Sequence, residues 1–99
     1  MHDVSTDRIR TIHFVGIGGI GVSGLARLMR SRGARVSGSD AVDSELLQAL
    51  AREGIAVSVG HDSANVSDDA ELVVYSTAVP DDNSELARAR ELGISCMTR

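Results

Sequence analysis

Thr11-Ile12-His13-Phe14-Val15-Gly16-Ile17-Gly18-Gly19-Ile20-Gly21 is the stretch of this 99-residue sequence on which its architecture turns. Five residues rich in β-formers run into glycine, which reads as a strand feeding a tight turn. Apolar positions then recur at Ile20, Leu25, Leu28 and Met29, with Ala26 filling. A helix is therefore expected up to Gly33, with Arg27, Arg30 and Arg32 toward solvent. Gly16, Gly18 and Gly21 hold the G-x-G-x-x-G spacing between that strand and that helix. Gly16 would permit the turn, Gly18 would let the backbone approach a diphosphate, and Gly21 would let helix and strand pack closely. The amides of Gly19 to Gly21 would lie at a helix N-terminus, where partial positive charge favours an anion.

Outward from this stretch the alternation continues. Ala34 to Gly38 is a second strand, with Ser39-Asp40 at its carboxyl end. A second helix is expected from Ser44 to Glu53, capped by Asp43, with Leu46, Leu47 and Leu50 toward the core. Ile55 to Val59 is a third strand, His61 to Val66 a polar loop, and Glu71 to Tyr75 a fourth strand ending at Ser76-Thr77-Ala78. Asp82 with Glu85 three residues on resembles a helix-start box, followed by a weak stripe of Leu86, Ala89 and Leu92; Ile94 to Met97 closes the chain as a fifth strand. Strands alternating with helices and few spare residues predict an α/β fold: a Rossmann-like, doubly wound, parallel five-stranded sheet in the order 3-2-1-4-5. Residues 1–10 read as a flexible lead-in and 11–99 as one domain.

Composition narrows the function classes. With 42% hydrophobic and 24% charged residues, the chain matches an ordinary globular domain. No apolar run approaches a membrane span or a signal peptide, so no membrane role is expected and the location reads as cytoplasmic. Residues 1–35 carry six Arg against two Asp, the remainder four Arg against twelve acids. With Phe14 and Tyr75 as its aromatics, the chain has no stacking platform, so no nucleic-acid partner is expected. The sequence has no Lys, which removes a P-loop ATPase and a Schiff-base enzyme. The single Cys96 reads as a small hydrophobe.

The candidate site gathers where ligands bind in such sheets, at the carboxyl ends of the strands beside the switch point. Asp40 could accept hydrogen bonds from a ribose or base edge. A carboxylate there has little to bury, so it is expected to serve a ligand rather than the fold. The hydroxyls and amides of Ser76, Thr77 and Ala78 face the glycine loop across the switch point. His61 is a loop histidine near the same edge, and His13 reads as a satisfied sheet residue. No Ser-His-Asp set, paired carboxylates or metal-spaced His/Cys cluster is visible, so no catalytic residue, cofactor or metal is assigned to this chain.

His13 to Gly21, Ser23-Gly24-Leu25-Ala26, Gly38-Ser39-Asp40, Tyr75-Ser76-Thr77-Ala78-Val79, Asp82-Asn83 with Glu85, and Gly93-Ile94 to Arg99 closely resemble the N-terminal domain of the Mur ligases of peptidoglycan synthesis. The resemblance covers residues 11 to 99. It is nearest to the branch that adds L-alanine to UDP-N-acetylmuramate. A related tripeptide-recycling branch usually carries Cys in its glycine loop, and Gly18-Gly19-Ile20-Gly21 does not.

The resemblance implies an enzyme of three domains: one for the UDP-sugar, a central P-loop ATPase and a C-terminal domain for the amino acid. This chain would be the first of them and inactive alone. ATP and Mg2+ would activate the muramyl carboxylate as an acyl phosphate in the other parts. The glycine loop, Gly16, Gly18, Gly19, Ile20 and Gly21, would hold the UDP diphosphate. Asp40 with Ser39 would hold the uridine, with His61 near it, and Ser76, Thr77 and Ala78 would approach the diphosphate and sugar. Two other readings stay open: an NAD-binding oxidoreductase domain and a ligand-sensing module. Asp40 suits an NAD ribose equally well; the blocks at Ser76 to Val79 and Asp82 to Glu85 favour the ligase.

Overall fold

The computed structural model describes residues 9–99; most of the expected lead-in, residues 1–8, lies outside them. Ile9 packs against the core, and the Arg10 amide donates to Glu71 Oε1 at 2.6 Å.

Five strands, β1 (Thr11–Val15), β2 (Arg35–Asp40), β3 (Ala56–Val59), β4 (Leu72–Tyr75) and β5 (Ser95–Thr98), form one sheet in the order β3-β2-β1-β4-β5. Every adjacent pair is parallel. Helices α1 (Ile20–Ser31), α2 (Glu45–Arg52) and α3 (Ser84–Glu91) occupy the crossovers, with a 3-10 turn at Ser63–Asn65 between β3 and β4. This is the expected Rossmann-like order. Among the described residues no helix is long and apolar enough to cross a membrane.

Alternation along β1 divides the core. Ile12 and Phe14 join Val22, Ala26, Met29, Leu47 and Leu50 beneath α1 and α2. Val15 joins Val73, Leu86 and Ala89 beneath α3. Both faces of the central strand are covered, which is why β1 is buried from Ile12 to Val15.

Several local expectations are corrected. The buried face of α1 is Val22, Ser23, Ala26 and Met29, whereas Ile20 is 90% exposed and Leu28 45%. Residues 22, 26 and 29 fall at i, i+4 and i+7, a true helical stripe; Ile20 begins the helix beyond the sheet. The cap of α2 is Ser44, whose Oγ accepts from the Leu47 amide at 3.0 Å; Asp43 accepts from the Ser44 amide instead. The cap of α3 is Asn83 rather than Asp82, with its Oδ1 accepting from the Glu85 amide at 2.8 Å. β2 continues through Ser39 and Asp40, because both pair with β3 opposite Ser58 and Val59.

β2 also carries a close approach. A Cβ on Gly38 would lie 2.9 Å from Ile17 Cβ and 3.0 Å from the Phe14 carbonyl oxygen, and would overlap Ile17 Cδ1. Ile17 is fully buried, and the Phe14 oxygen is backbone. Gly38→Ala is therefore expected to destabilise the fold by about 1–3 kcal/mol through overpacking, read as a lower urea midpoint with unchanged slope.

Candidate functional site

Where β1 ends, the chain is stapled to its neighbour. The amides of Gly16 and Ile17 both donate to the Ser39 carbonyl, at 2.8 and 3.0 Å. Gly16 takes φ +80°, and its missing Cβ would sit 3.0 Å from Ser76 Cβ, so the turn needs glycine for both conformation and space. The Gly18 amide donates to Asp40 Oδ2 at 2.8 Å, and the Gly19 amide to the Gly16 carbonyl at 3.1 Å.

These bonds alter the expected anion site. Gly19, assigned to it as a donor, has spent its amide inside the loop. The first helical bond of α1 runs from the Ser23 amide to the Gly19 carbonyl at 2.8 Å, and no side chain caps the helix. The amides of Ile20, Gly21 and Val22 therefore precede the helical ladder and are the donors at its positive end. The close packing expected at Gly21 is absent: a Cβ there would meet nothing within 4 Å.

A cleft of about 430 Å³ opens beside this loop. Of the expected site residues, Gly16, Gly18, Gly19, Asp40, His61, Ser76 and Ala78 line it. Ala41, Val79 and Pro80 complete the lining and were not anticipated. Ile20, Gly21 and Thr77 are exposed outside that lining. A depression of similar volume, about 410 Å³, is lined by Ser63, Val66, Arg88 and neighbours and shares no residue with the cleft.

Asp40 does more for the protein than expected. One carboxylate oxygen holds the Gly18 amide, so the residue shapes the loop as well as facing the cleft. Ser76 bridges the opposite wall: its amide donates to the Val15 carbonyl at 3.0 Å, and its Oγ accepts from the Ala78 amide at 3.2 Å.

Ser39 lies beneath the cleft, fully buried, and its hydroxyl leads to a polar cluster absent from the sequence reading. At the centre is Glu85, also fully buried. Its Oε1 accepts from Ser39 Oγ at 2.8 Å and lies 2.6 Å from His13 Nε2. Its Oε2 accepts from the Asp62 amide at 3.1 Å and from Asn65 Nδ2 at 2.9 Å. His61 Nδ1 lies 2.9 Å from Ser39 Oγ, and His13 Nδ1 lies 2.7 Å from Ser37 Oγ. Burial alone would raise the Glu85 pKa, but the hydrogen bonds from His13, Asn65 and Ser39 outweigh it and hold the carboxyl down at about 2. His13 is thus a satisfied sheet residue, as expected. A Ser-His-acid set does exist in space, but Ser39 has no exposed surface from which to attack a substrate.

A signal for Glu85 is present in the sequence. His13 pairs with Ser37 in register, so His13, Ser37 and Ser39 point from one sheet face, and Glu85 shares the buried side of α3 with Leu86 and Ala89. A polar row on a covered face demands a polar partner. Cys96 is half-buried and packs at the edge of the core beneath α3; burial pushes its thiol pKa up, away from nucleophile chemistry.

Fold, glycine loop and switch-point cleft together define a Rossmann-type α/β domain with an open cleft at its strand ends. The model for "Mur ligase family, catalytic domain" matches residues 11–99, and the chain belongs to the Mur ligase family. It is 52% identical over 92 residues to the UDP-N-acetylmuramate–L-alanine ligase of Carboxydothermus hydrogenoformans, covering 93% of this chain and 20% of that protein. The crystal structure of the UDP-N-acetylmuramate-alanine ligase from Thermotoga maritima superposes with TM-score 0.87 at 40% identity, over 93% of this chain and 21% of that one. A murein peptide ligase from Psychrobacter arcticus gives TM-score 0.78 at 27% identity, over 88% and 18%. The chain thus spans about a fifth of the length of the relatives it matches.

Proposed function

We propose that this chain binds the UDP moiety of UDP-N-acetylmuramate, as the N-terminal substrate domain of an enzyme that adds L-alanine to it. The observation that carries the reading is the cleft itself. It sits between the glycine loop, Asp40, His61 and Ser76 to Ala78, on a scaffold 52% identical to part of an alanine-adding ligase. The amides of Ile20 and Gly21, with the α1 dipole behind them, suit the two phosphates. Asp40 and Ala41, at the end of β2, suit the uridine, and Ser76 with Ala78 suits the diphosphate and sugar side.

Held this way, the substrate's UDP would anchor the reacting carboxylate for the rest of the enzyme, a contribution of orientation rather than of chemistry. ATP and Mg2+ belong to that chemistry, and the residues here do not fit them. The sequence has no Lys, and among the described residues no group of three His, Cys, Asp or Glu could hold a metal.

Titration of the chain with UDP, UDP-N-acetylmuramate and NAD, followed by amide NMR, tests the reading. Shifts at Gly18 to Gly21, Asp40 and Ser76 to Ala78 are expected with both uridine nucleotides and weakly with NAD. Equal or stronger shifts with NAD would favour the oxidoreductase reading instead.

A further inference from the structure

Proton accounting around Glu85 reaches the cleft. The carboxylate is an acceptor at both oxygens, and Ser39 has one proton, which it donates to Oε1. The Ser39 oxygen, already a donor downward, can only accept from above. The group above it is His61 Nδ1, at 2.9 Å, which also lies 3.4 Å from the negatively charged Glu85 Oε2. His61 must then carry its proton on Nδ1. In the neutral ring Nε2 is left as a bare lone pair, with no hydrogen-bond partner among the described residues, on a side chain that lines the cleft.

We propose that Glu85 is a positioning residue for ligand recognition: by accepting the Ser39 hydrogen bond it sets the tautomer of His61, which then meets a nucleobase N–H through Nε2 as an acceptor. The proposal rests on the uridine nucleotide reading above, since an imide N–H is the kind of donor such a base offers. Asn65 and the Asp62 amide hold the other carboxylate oxygen, so the carboxylate is fixed in the plane the relay requires. His13 closes the far side, leaving Ser39 as the outlet toward the cleft.

Replacement of the carboxylate by an amide makes the chain of protons run backwards. In Glu85→Gln the amide oxygen is best placed against the two donors Asn65 Nδ2 and the Asp62 amide. The NH2 then faces Ser39 and donates to it. Ser39 keeps its proton but turns its O–H to donate to His61 Nδ1, so the neutral ring carries its single proton on Nε2, where it repels a nucleobase N–H.

The test reads the ring directly. Histidine is labelled with 15N, and long-range 1H–15N correlations are recorded at about pH 8, above the usual imidazole range. The wild-type chain is expected to show His61 as the Nδ1–H tautomer without ligand. Glu85→Gln is expected to show the Nε2–H tautomer and to bind UDP about tenfold more weakly, with affinity for inorganic pyrophosphate unchanged within about twofold. An Nε2–H or mixed tautomer in the wild type overturns the proposal, and this spectrum decides even where the variant fails to fold. Equal losses for UDP and pyrophosphate overturn it too, because Glu85 would then be acting on the fold. A wild-type chain with the Nδ1–H tautomer that binds no UDP overturns the uridine reading and leaves the Glu85 relay standing.

Discussion

Glu85→Ala is expected to lower the stability of the chain by about 3–5 kcal/mol, the size of loss that follows when one partner of a buried charged network is removed. Truncation strands His13 Nε2, Ser39 Oγ, Asn65 Nδ2 and the Asp62 amide together, and His13 and Ser39, both buried, lose their partner away from water. The effect should depend on pH in a defined direction. The folded-state pKa of Glu85 is held at about 2, below the usual 4.5. Its ionised form therefore contributes stability that is fully present above about pH 5 and lost as the pH falls toward 2. The shift corresponds to roughly 3 kcal/mol. Urea unfolding of wild type and variant should show a large gap at about pH 7 that narrows by about pH 3. A gap below about 1 kcal/mol at neutral pH would show that the cluster holds nothing together.

Gly18→Val is expected to abolish most UDP binding, by about a hundredfold or more, while the fold survives. A Cβ on Gly18 would lie 2.8 Å from Asp40 Oδ2 and 3.4 Å from its Cγ. The obstacle is the end of a side chain, and Gly18 is not among the glycines with positive φ, so the backbone tolerates the change and Asp40 moves instead. Movement breaks the 2.8 Å bond from the Gly18 amide and displaces the carboxylate proposed to hold the uridine. A charge-assisted contact is worth roughly 1.5–3 kcal/mol, and the branched side chain also fills part of the cleft. Circular dichroism with calorimetric titration separates the outcomes. A folded variant that binds as wild type does would remove the glycine loop from the site.

Much of this molecule was readable along the chain. Each strand and helix is a local pattern: β-formers ending at glycine, an apolar stripe, a capping residue within a position of its place. In a chain this short, strict alternation admits few topologies, so the order 3-2-1-4-5 followed without any measured contact. The glycine loop was legible for the same reason, because its spacing and its flanking strand and helix are neighbours in sequence. Asp40, His61 and Ser76 could be placed at one edge because strand direction alone puts them there. Which partners the polar groups of the loop and its neighbours take is decided by folding. The Gly19 amide reads as a free donor along the chain, but the Gly16 carbonyl takes it, and Asp40 takes the amide of Gly18. Glu85 looked like a helix-start residue, since its spacing from Asp82 offered a sufficient local explanation. Its real partners come from residues 13, 39, 62 and 65, brought together by two crossovers and the packing of α3 on the sheet. A hydrogen bond depends on distances of a few tenths of an ångström between groups tens of residues apart. Periodicity carries the face on which a side chain lies, but the pairing of polar groups on that face arises only when the layers close and water is excluded.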